Sequence, residues 1–230
     1  FSLDVDLKAV SFQFDVDQII HQALLSSWGI RIIRQEPWEC LASFILSSFN
    51  NIVRLTGMLE NLAMKFGDPI ETRARVWGFA FPQPQVLAKL SERTLRNCGL
   101  GFRAPYLKAA AQSVVSGKAD LLAWGRLEDE ALRRVLLTIP GVGEKVVECV
   151  MLFGYNRMSA FPVDVWIGRA MRGWYFRRRK VTDKKIREFA RRHFGATCGL
   201  AQQYLYCQAR DFGTRVRICF DSTEPSGRIS

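Results

Sequence analysis

A lysine set directly behind a glycine-rich turn, with an aspartate further along the chain, is the constellation in this sequence best suited to chemistry. The segment reads Leu137-Thr-Ile-Pro-Gly-Val-Gly-Glu-Lys145, and Asp164 follows in Phe161-Pro-Val-Asp-Val-Trp166. Pro140 fixes its own φ, and Gly141 and Gly143 can take positive φ, so the chain can reverse tightly here. Backbone N–H groups at such a turn and at the start of the next helix lack intrahelical partners and can point at an anion such as a DNA phosphate. Gly141, Val142 and Gly143 are the candidate phosphate-gripping residues. Lys145 falls in the first helical turn, where the positive helix terminus disfavours a second cation, so its amine should deprotonate more readily. A neutral amine can attack an electrophilic carbon and form a Schiff base. Asp164 can hold the positive charge that develops on a sugar ring when a glycosidic bond breaks. Each feature also has a plainer reading. The turn can simply join two core helices, the lysine can grip phosphate, and Asp164, just before an apolar helical pattern, can cap a helix through the N–H of Trp166 or Ile167.

The elements that would position these groups follow from periodicity. Apolar residues at Leu132 to Leu137, and again at Val146, Val147, Val150 and Met151, recur at helical spacing on either side of the turn. The pattern predicts helices near 17–27, 37–48, 51–66, 86–97, 103–116, 127–138, 143–154, 165–175, 182–194 and 199–211. Strand-like alternation is confined to Phe1–Val10 and Ile30–Ile33. Turn chemistry at Gly117 and from Asp120 to Trp124 separates two sets of helices. The expected organisation is an N-terminal segment 1–36 whose first helix packs on the C-terminal lobe, a helical lobe 37–125, a helix-hairpin-helix catalytic lobe 126–220, and a polar tail 221–230 expected to be disordered.

Composition agrees with a polyanionic partner. The 230 residues carry 33 Lys and Arg against 22 Asp and Glu, a formal charge of +11 and a pI near 9.7, which implies electrostatic attraction to nucleic acid and salt-dependent binding. The basic run Arg177-Arg-Arg-Lys180 reads as a solvated loop touching backbone phosphate. No run of eighteen apolar residues is present, so no membrane partner is expected. The chain does not open on a secretion signal, and intracellular residence in the cytoplasm, nucleoid or nucleus is the expectation. Six cysteines, at 40, 98, 149, 198, 207 and 219, are scattered through the chain and read as reduced thiols. Only two histidines, His21 and His193, occur, which disfavours a histidine-based zinc site.

Four segments, in order, resemble the helix-hairpin-helix DNA glycosylases, and among them the 8-oxoguanine DNA glycosylases. They are Arg31-Ile-Ile-Arg-Gln-Glu-Pro-Trp-Glu-Cys-Leu-Ala-Ser-Phe-Ile-Leu-Ser-Ser48, Asn50-Asn-Ile-Val-Arg-Leu-Thr-Gly-Met58, Leu100-Gly-Phe-Arg-Ala-Pro-Tyr106, and the hairpin with Pro162-Val-Asp164. The resemblance implies an all-α, two-lobed fold with a helix-hairpin-helix motif and at most a short β-like segment at the N-terminus. It implies base excision with abasic-site lyase activity: Lys145 attacks the anomeric carbon of a flipped nucleotide, Asp164 stabilises the sugar cation, and the Schiff base permits β-elimination.

Other roles carried over by the resemblance are Arg54 and Arg103 contacting the base left behind, with Asn50 and Asn51 beside them, and Phe102 wedged into the duplex. Cys149 and Tyr206 would sandwich the extruded purine, Gln202 would bind its Watson–Crick edge, and Phe153 would lie deeper in the pocket. Phe102 also reads as core, Cys149 as a small buried hydrophobe and Gln202 as a solvated helix position. Phe49 stands where the family usually has an asparagine facing the orphaned cytosine. Trp166 stands where many members have a histidine, which alters a phosphate or pocket contact. Members carry an antiparallel β domain before the helices, and Phe1 falls about where that domain would end. Relatives resembling endonuclease III hold an iron–sulfur cluster through closely spaced cysteines. Here Cys198, Cys207 and Cys219 follow the aspartate at another spacing, so no cluster and no required cofactor are expected. The hairpin carbonyls can bind a cation that bridges to phosphate. Damaged duplex DNA is the implied partner of a monomer. The alternatives are an alkylated-base glycosylase without lyase activity and a non-catalytic DNA-binding protein.

Overall fold

The structure, a computed structural model, describes residues 1–71 and 76–221, with side chains described for all of these except 76 and 211–221. In chain order the helices are α1 Leu7–Phe14, α2 Gln18–Ser26, α3 Pro37–Leu46, α4 Ile52–Phe66, α5 Pro84–Lys89, α6 Glu92–Arg96, α7 Ala104–Val115, α8 Leu121–Trp124, α9 Asp129–Leu137, α10 Glu144–Cys149, α11 Val165–Trp174, α12 Asp183–His193 and α13 Cys198–Asp221. Between α4 and α5 lie two short antiparallel strands, β1 Pro69–Glu71 and β2 Val76–Phe79. The chain groups into two compact units, one of residues 33–157 and one of residues 1–32 with 158 onward.

The helix starts are written in capping residues. Asp6, Asp17, Asn51, Ser91, Asp120, Asp164 and Thr182 each accept a backbone N–H from the first turn that follows, satisfying donors that no intrahelical carbonyl can reach. Pro37, behind a Glu36 cap, opens α3 with its φ already helical.

In the unit of 33–157, α3 buries Trp38, Leu41, Ala42, Ile45 and Leu46, and it packs against α7, α10 and the segment after α10. Leu107, Ala110 and Ala111 of α7 and Leu132 and Leu136 of α9 complete this core. In the other unit α13 packs against α2 and α11 around Ile20, Ile167, Met171, Tyr204 and Leu205.

The mostly helical expectation holds, with four local corrections. Strand-like alternation at Phe1–Val10 gives way to α1, because Asp6 takes the N–H groups of Lys8 and Ala9 and the buried positions Leu7, Ser11 and Phe14 fall on one helical face. Ile30–Ile33 forms no ladder. Its carbonyls are satisfied by side chains instead, Tyr204 Oη donating to Ile30 O at 3.2 Å and Ser2 Oγ to Ile32 O at 2.7 Å. The expected helix over 86–97 breaks in two where Leu90 turns extended and Ser91 starts α6. Strand pairing joins β1 and β2 rather than the N-terminal residues, with Ala80 N donating to Asp68 O beside Gly67, where a Cβ would come within 1.9 Å of Ala80 O.

The compact units are also drawn differently from the expected lobes. The hairpin segment through Arg157 sits with residues 33–125, while 1–32 joins the region from 158, consistent with α2 packing on α13. The polar tail expected at 221–230 lies outside the described residues beyond Asp221, and Cys219 lies outside the described side chains.

Candidate functional site

The hairpin forms as its residue types demand. Val142 N donates to Ile139 O at 3.1 Å, closing the turn that ends α9. Gly141 has φ +83°, and a Cβ there would stand 2.7 Å from Tyr106 Cβ, so both conformation and space require glycine. Of the two glycines that can take positive φ only Gly141 does; Gly143 has φ −104° and is the N-cap of α10. Val142 is buried beneath the turn.

Lys145 is half-buried in the first turn of α10. Its Nζ donates to Ser47 Oγ at 3.0 Å and lies 5.0 Å from the centroid of the Phe44 ring. Ser47 Oγ in turn donates to Phe44 O at 2.7 Å. The serine proton is thus committed to α3, and its lone pairs face the amine. Phe44 stacks on Phe153, centroids 5.5 Å apart and planes 15° from parallel. Phe153 lies in a π-helical turn, Val150–Gly154, that continues directly from α10, an irregularity that recurs at functional sites. Cys149, at the last position of α10, is buried.

Below this region α10 is tied to α9 by Arg133, whose Nη1 stands 2.7 Å from Oε1 of the fully buried Glu148. Cys40 is also buried, and burial, with the Cys149 thiol nearby, pushes its thiol far above the ordinary range. The five described cysteines, Cys40, Cys98, Cys149, Cys198 and Cys207, form no disulfide among themselves.

The loop from Ser47 to Asn51 continues from the serine that meets Lys145. Asn50 Nδ2 donates to Leu46 O, and its Oδ1 accepts from Asn51 N. Asn51 caps α4 through Arg54 N at 2.8 Å. Arg54 is exposed in the first turn of α4. Phe102 is 55% exposed. Arg103 is only 2% exposed: Nε and Nη2 donate to Ser48 O, Nη2 donates also to Phe49 O at 2.8 Å, and Cζ lies 4.3 Å over the Phe102 ring. Burial, with the Arg54 charge nearby, lowers the Arg103 pKa from its usual value. The structure therefore brings Lys145, Cys149, Phe153, Asn50, Asn51, Arg54, Phe102, Arg103, Gly141, Val142 and Gly143 into the unit of 33–157.

Asp164, Trp166, Gln202 and Tyr206 belong to the other unit. Asp164 caps α11, Oδ1 accepting from Ile167 N at 2.8 Å, as its place after Pro162 suggests. Burial raises the Tyr206 pKa, and the charge of Asp164 raises it further, which puts the phenol and the carboxylate in one neighbourhood. Gln202 is buried rather than solvated; its Nε2 donates to Pro162 O at 3.1 Å and its Oε1 accepts from Gln203 Nε2. Trp166 is half-buried in the first turn of α11.

Two residues near the amine, Ser47 and Phe44, had no role in the sequence reading. Only folding joins Ser47 to a lysine 98 residues away, and no spacing rule announces it. Among the described residues no group of three or more His, Cys, Asp or Glu side chains is placed to hold a metal ion, and no helix is long and apolar enough to cross a membrane.

Known proteins resemble this chain over most of its length. Residues 1–41 match the 8-oxoguanine DNA glycosylase N-terminal domain, and residues 42–195 match the HhH-GPD superfamily base excision DNA repair protein family. A probable N-glycosylase/DNA lyase of Methanothermobacter thermautotrophicus is 31% identical over 95% of this chain and 75% of its own length. The N-glycosylase/DNA lyase of Saccharomyces cerevisiae is 38% identical over 74% of this chain, which spans 48% of the yeast protein. Among solved structures, the Clostridium acetobutylicum 8-oxoguanine glycosylase/lyase, bound to double-stranded DNA containing cytosine opposite 8-oxoguanine, superposes with a TM-score of 0.88 at 36% identity, covering 93% of this chain and 73% of that one. From its motifs, its helical architecture and these matches, the chain belongs to the HhH-GPD superfamily of base excision DNA repair proteins, in its 8-oxoguanine DNA glycosylase/lyase family.

Proposed function

We propose that this chain excises 8-oxoguanine from duplex DNA and then cleaves the strand at the resulting abasic site, with Lys145 as nucleophile and Asp164 as the electrostatic partner. The observation that carries the reading is the Lys145 amine itself. It stands in the first turn after the glycine hairpin, held by the Ser47 hydroxyl at 3.0 Å and by the face of Phe44. Such contacts orient the amine without tying it to a carboxylate. In its neutral form the amine attacks C1′ of the extruded nucleotide. The N-glycosidic bond breaks and its electron pair leaves with the purine, which takes up a proton. Positive charge accumulates on the sugar during this step, and the Asp164 carboxylate stabilises it. Ring opening yields the imine between Nζ and C1′. Loss of a C2′ proton then expels the 3′ phosphate with its bonding electrons, and water hydrolyses the imine to regenerate the amine.

The remaining assignments belong to the same proposal. Backbone groups of Gly141, Val142 and Gly143 hold phosphate, and the hairpin carbonyls would hold a cation that offsets its charge. Asn50, Asn51, Arg54, Phe102, Arg103 and Trp166 meet the duplex, while Cys149, Phe153, Gln202 and Tyr206 each contact the extruded base. The protein acts as a monomer inside the cell, where its substrate is. The test is borohydride trapping on a duplex carrying one 8-oxoguanine, comparing the chain with Lys145→Gln. A covalent complex formed by the parent and absent from the variant supports the assignment. Release of the base without any trapped complex sinks the lyase half, and binding without base release sinks the enzymatic reading.

A further inference from the structure

Phe49 is the least accommodated large side chain in the described structure. Its ring is 95% exposed, and its backbone sits at φ +50°, in the left-handed region that an aromatic residue rarely adopts. An exposed aromatic on a strained backbone persists only where its surroundings impose it, and such strain clusters at functional sites. Here the surroundings do impose it. The buried guanidinium of Arg103 donates to the carbonyls of both Ser48 and Phe49, fixing the peptide on which the ring is carried. The same guanidinium lies 4.3 Å over Phe102, the second exposed aromatic of this region. On the other side, Ser47, two residues before Phe49, is the residue that holds the Lys145 amine. One continuous set of contacts therefore runs from the reactive amine through Ser47 and Ser48 to Phe49, Arg103 and Phe102. Phe49 is rigidly presented, close in the chain to the chemistry, and uncovered among the described residues.

We propose that Phe49 is a stacking plug: its ring enters the base stack where the damaged nucleotide has been extruded and packs on the orphaned base opposite. This rests on the DNA glycosylase reading above. A phenyl ring offers no donor or acceptor, so it cannot read a Watson–Crick edge, yet every base has a π face on which it can stack. Phe49 thus supports the opened duplex without favouring one partner base. It is a specificity-determining residue because of what it declines to read.

The experiment uses duplexes carrying a tetrahydrofuran abasic-site analogue opposite each of the four bases, an undamaged duplex, and 8-oxoguanine duplexes with the same four partners. Phe49→Ala, which removes only exposed surface, should weaken binding to all four tetrahydrofuran duplexes by roughly tenfold, the worth of one base–aromatic stack, and leave the undamaged duplex unaffected. Phe49→Asn tolerates positive φ and restores a donor and an acceptor. It should widen the spread of single-turnover excision rates among the four partners by roughly tenfold, the discrimination expected of one directed hydrogen-bonding contact. Equal binding by parent and Phe49→Ala on the tetrahydrofuran duplexes overturns the proposal. So does an equal loss on the undamaged duplex, which would mark a general contact, or an unchanged spread with Phe49→Asn. Should the parent excise 8-oxoguanine opposite no partner, the function proposed above fails, and the tetrahydrofuran binding series still decides the role of Phe49.

Discussion

Lys145 and Asp164 belong to different compact units and are held by different physics. The carboxylate is fixed locally: it caps α11 through a backbone N–H three residues on, and any chain that starts a helix there would fix it similarly. The amine is fixed from a distance, by a hydroxyl and an aromatic ring on α3 that only tertiary packing brings to it. The two units also stabilise their elements differently. Residues 33–157 contain the buried Arg133–Glu148 pair under α10 and a glycine turn pressed on Tyr106. The unit of 1–32 and 158 onward gathers Tyr175, Phe189, His193 and Phe194 around Asp17, with His193 Nε2 at 2.6 Å from Oδ2 and the Tyr175 hydroxyl at 3.3 Å from Oδ1. In the proposed roles, the group that would attack is placed by contacts that leave it uncommitted, whereas the group that would only hold charge is committed to the backbone.

The sharpest way to break that contrast is Lys145→Gln. It should lower excision by a factor on the order of 10⁴ or more and abolish borohydride trapping, as removal of a nucleophile does; single-turnover kinetics on an 8-oxoguanine duplex would measure it. Next comes Arg133→Met, which strips the guanidinium from the fully buried Glu148 and should destabilise the protein by about 3–5 kcal/mol in urea unfolding. A loss under about 1 kcal/mol would mean that the pair does not anchor α10. Asp164→Asn keeps a good helix cap and removes the charge. It should leave the unfolding midpoint nearly unchanged while slowing excision by about 10²–10³-fold. A fall in stability to match the fall in rate would show that the carboxylate is structural alone.

The smallest effect is expected at Asp17, and it depends on pH. Burial pushes the Asp17 carboxyl up, but hydrogen bonds from His193, Ile20, Ile19 and Tyr175 outweigh it and hold the pKa below the usual value. A depressed folded-state pKa stabilises the fold above the unfolded value and loses that contribution as pH falls through the folded one. Asp17→Ala should therefore destabilise by about 2 kcal/mol at neutral pH. The deficit should shrink as pH falls below the unfolded carboxyl's value of about 4 and toward the lower folded one. A deficit independent of pH would assign the whole effect to packing.

Much of the helical order was legible because it is local. Asp17, Asn51, Asp164 and Thr182 announce helix starts by residue type, and the buried positions that follow recur at helical spacing. The misreadings arose where local pattern was ambiguous. Phe1–Val10 alternates like a strand until the cap at Asp6 is recognised, and β1 and β2, at three and four residues, are too short to show a period. At the site, the hairpin and the Asp164 cap were visible. The roles of Ser47 and Phe44 under the amine were not, nor was the burial of Arg103, because each depends on residues far apart in the chain.

By itself the sequence determined the residue types that can do the chemistry, the turn that only glycine can make at Gly141, the cap at Asp164 and the family to which these motifs belong. Those features are set by backbone sterics and hydrogen bonds within a few residues. Tertiary structure alone decided what surrounds Lys145, that Arg103 is spent on the carbonyls of Ser48 and Phe49, and that Phe49 is held out into solvent. These depend on packing between elements, where burial and geometry are fixed by the whole core and by no single stretch of chain.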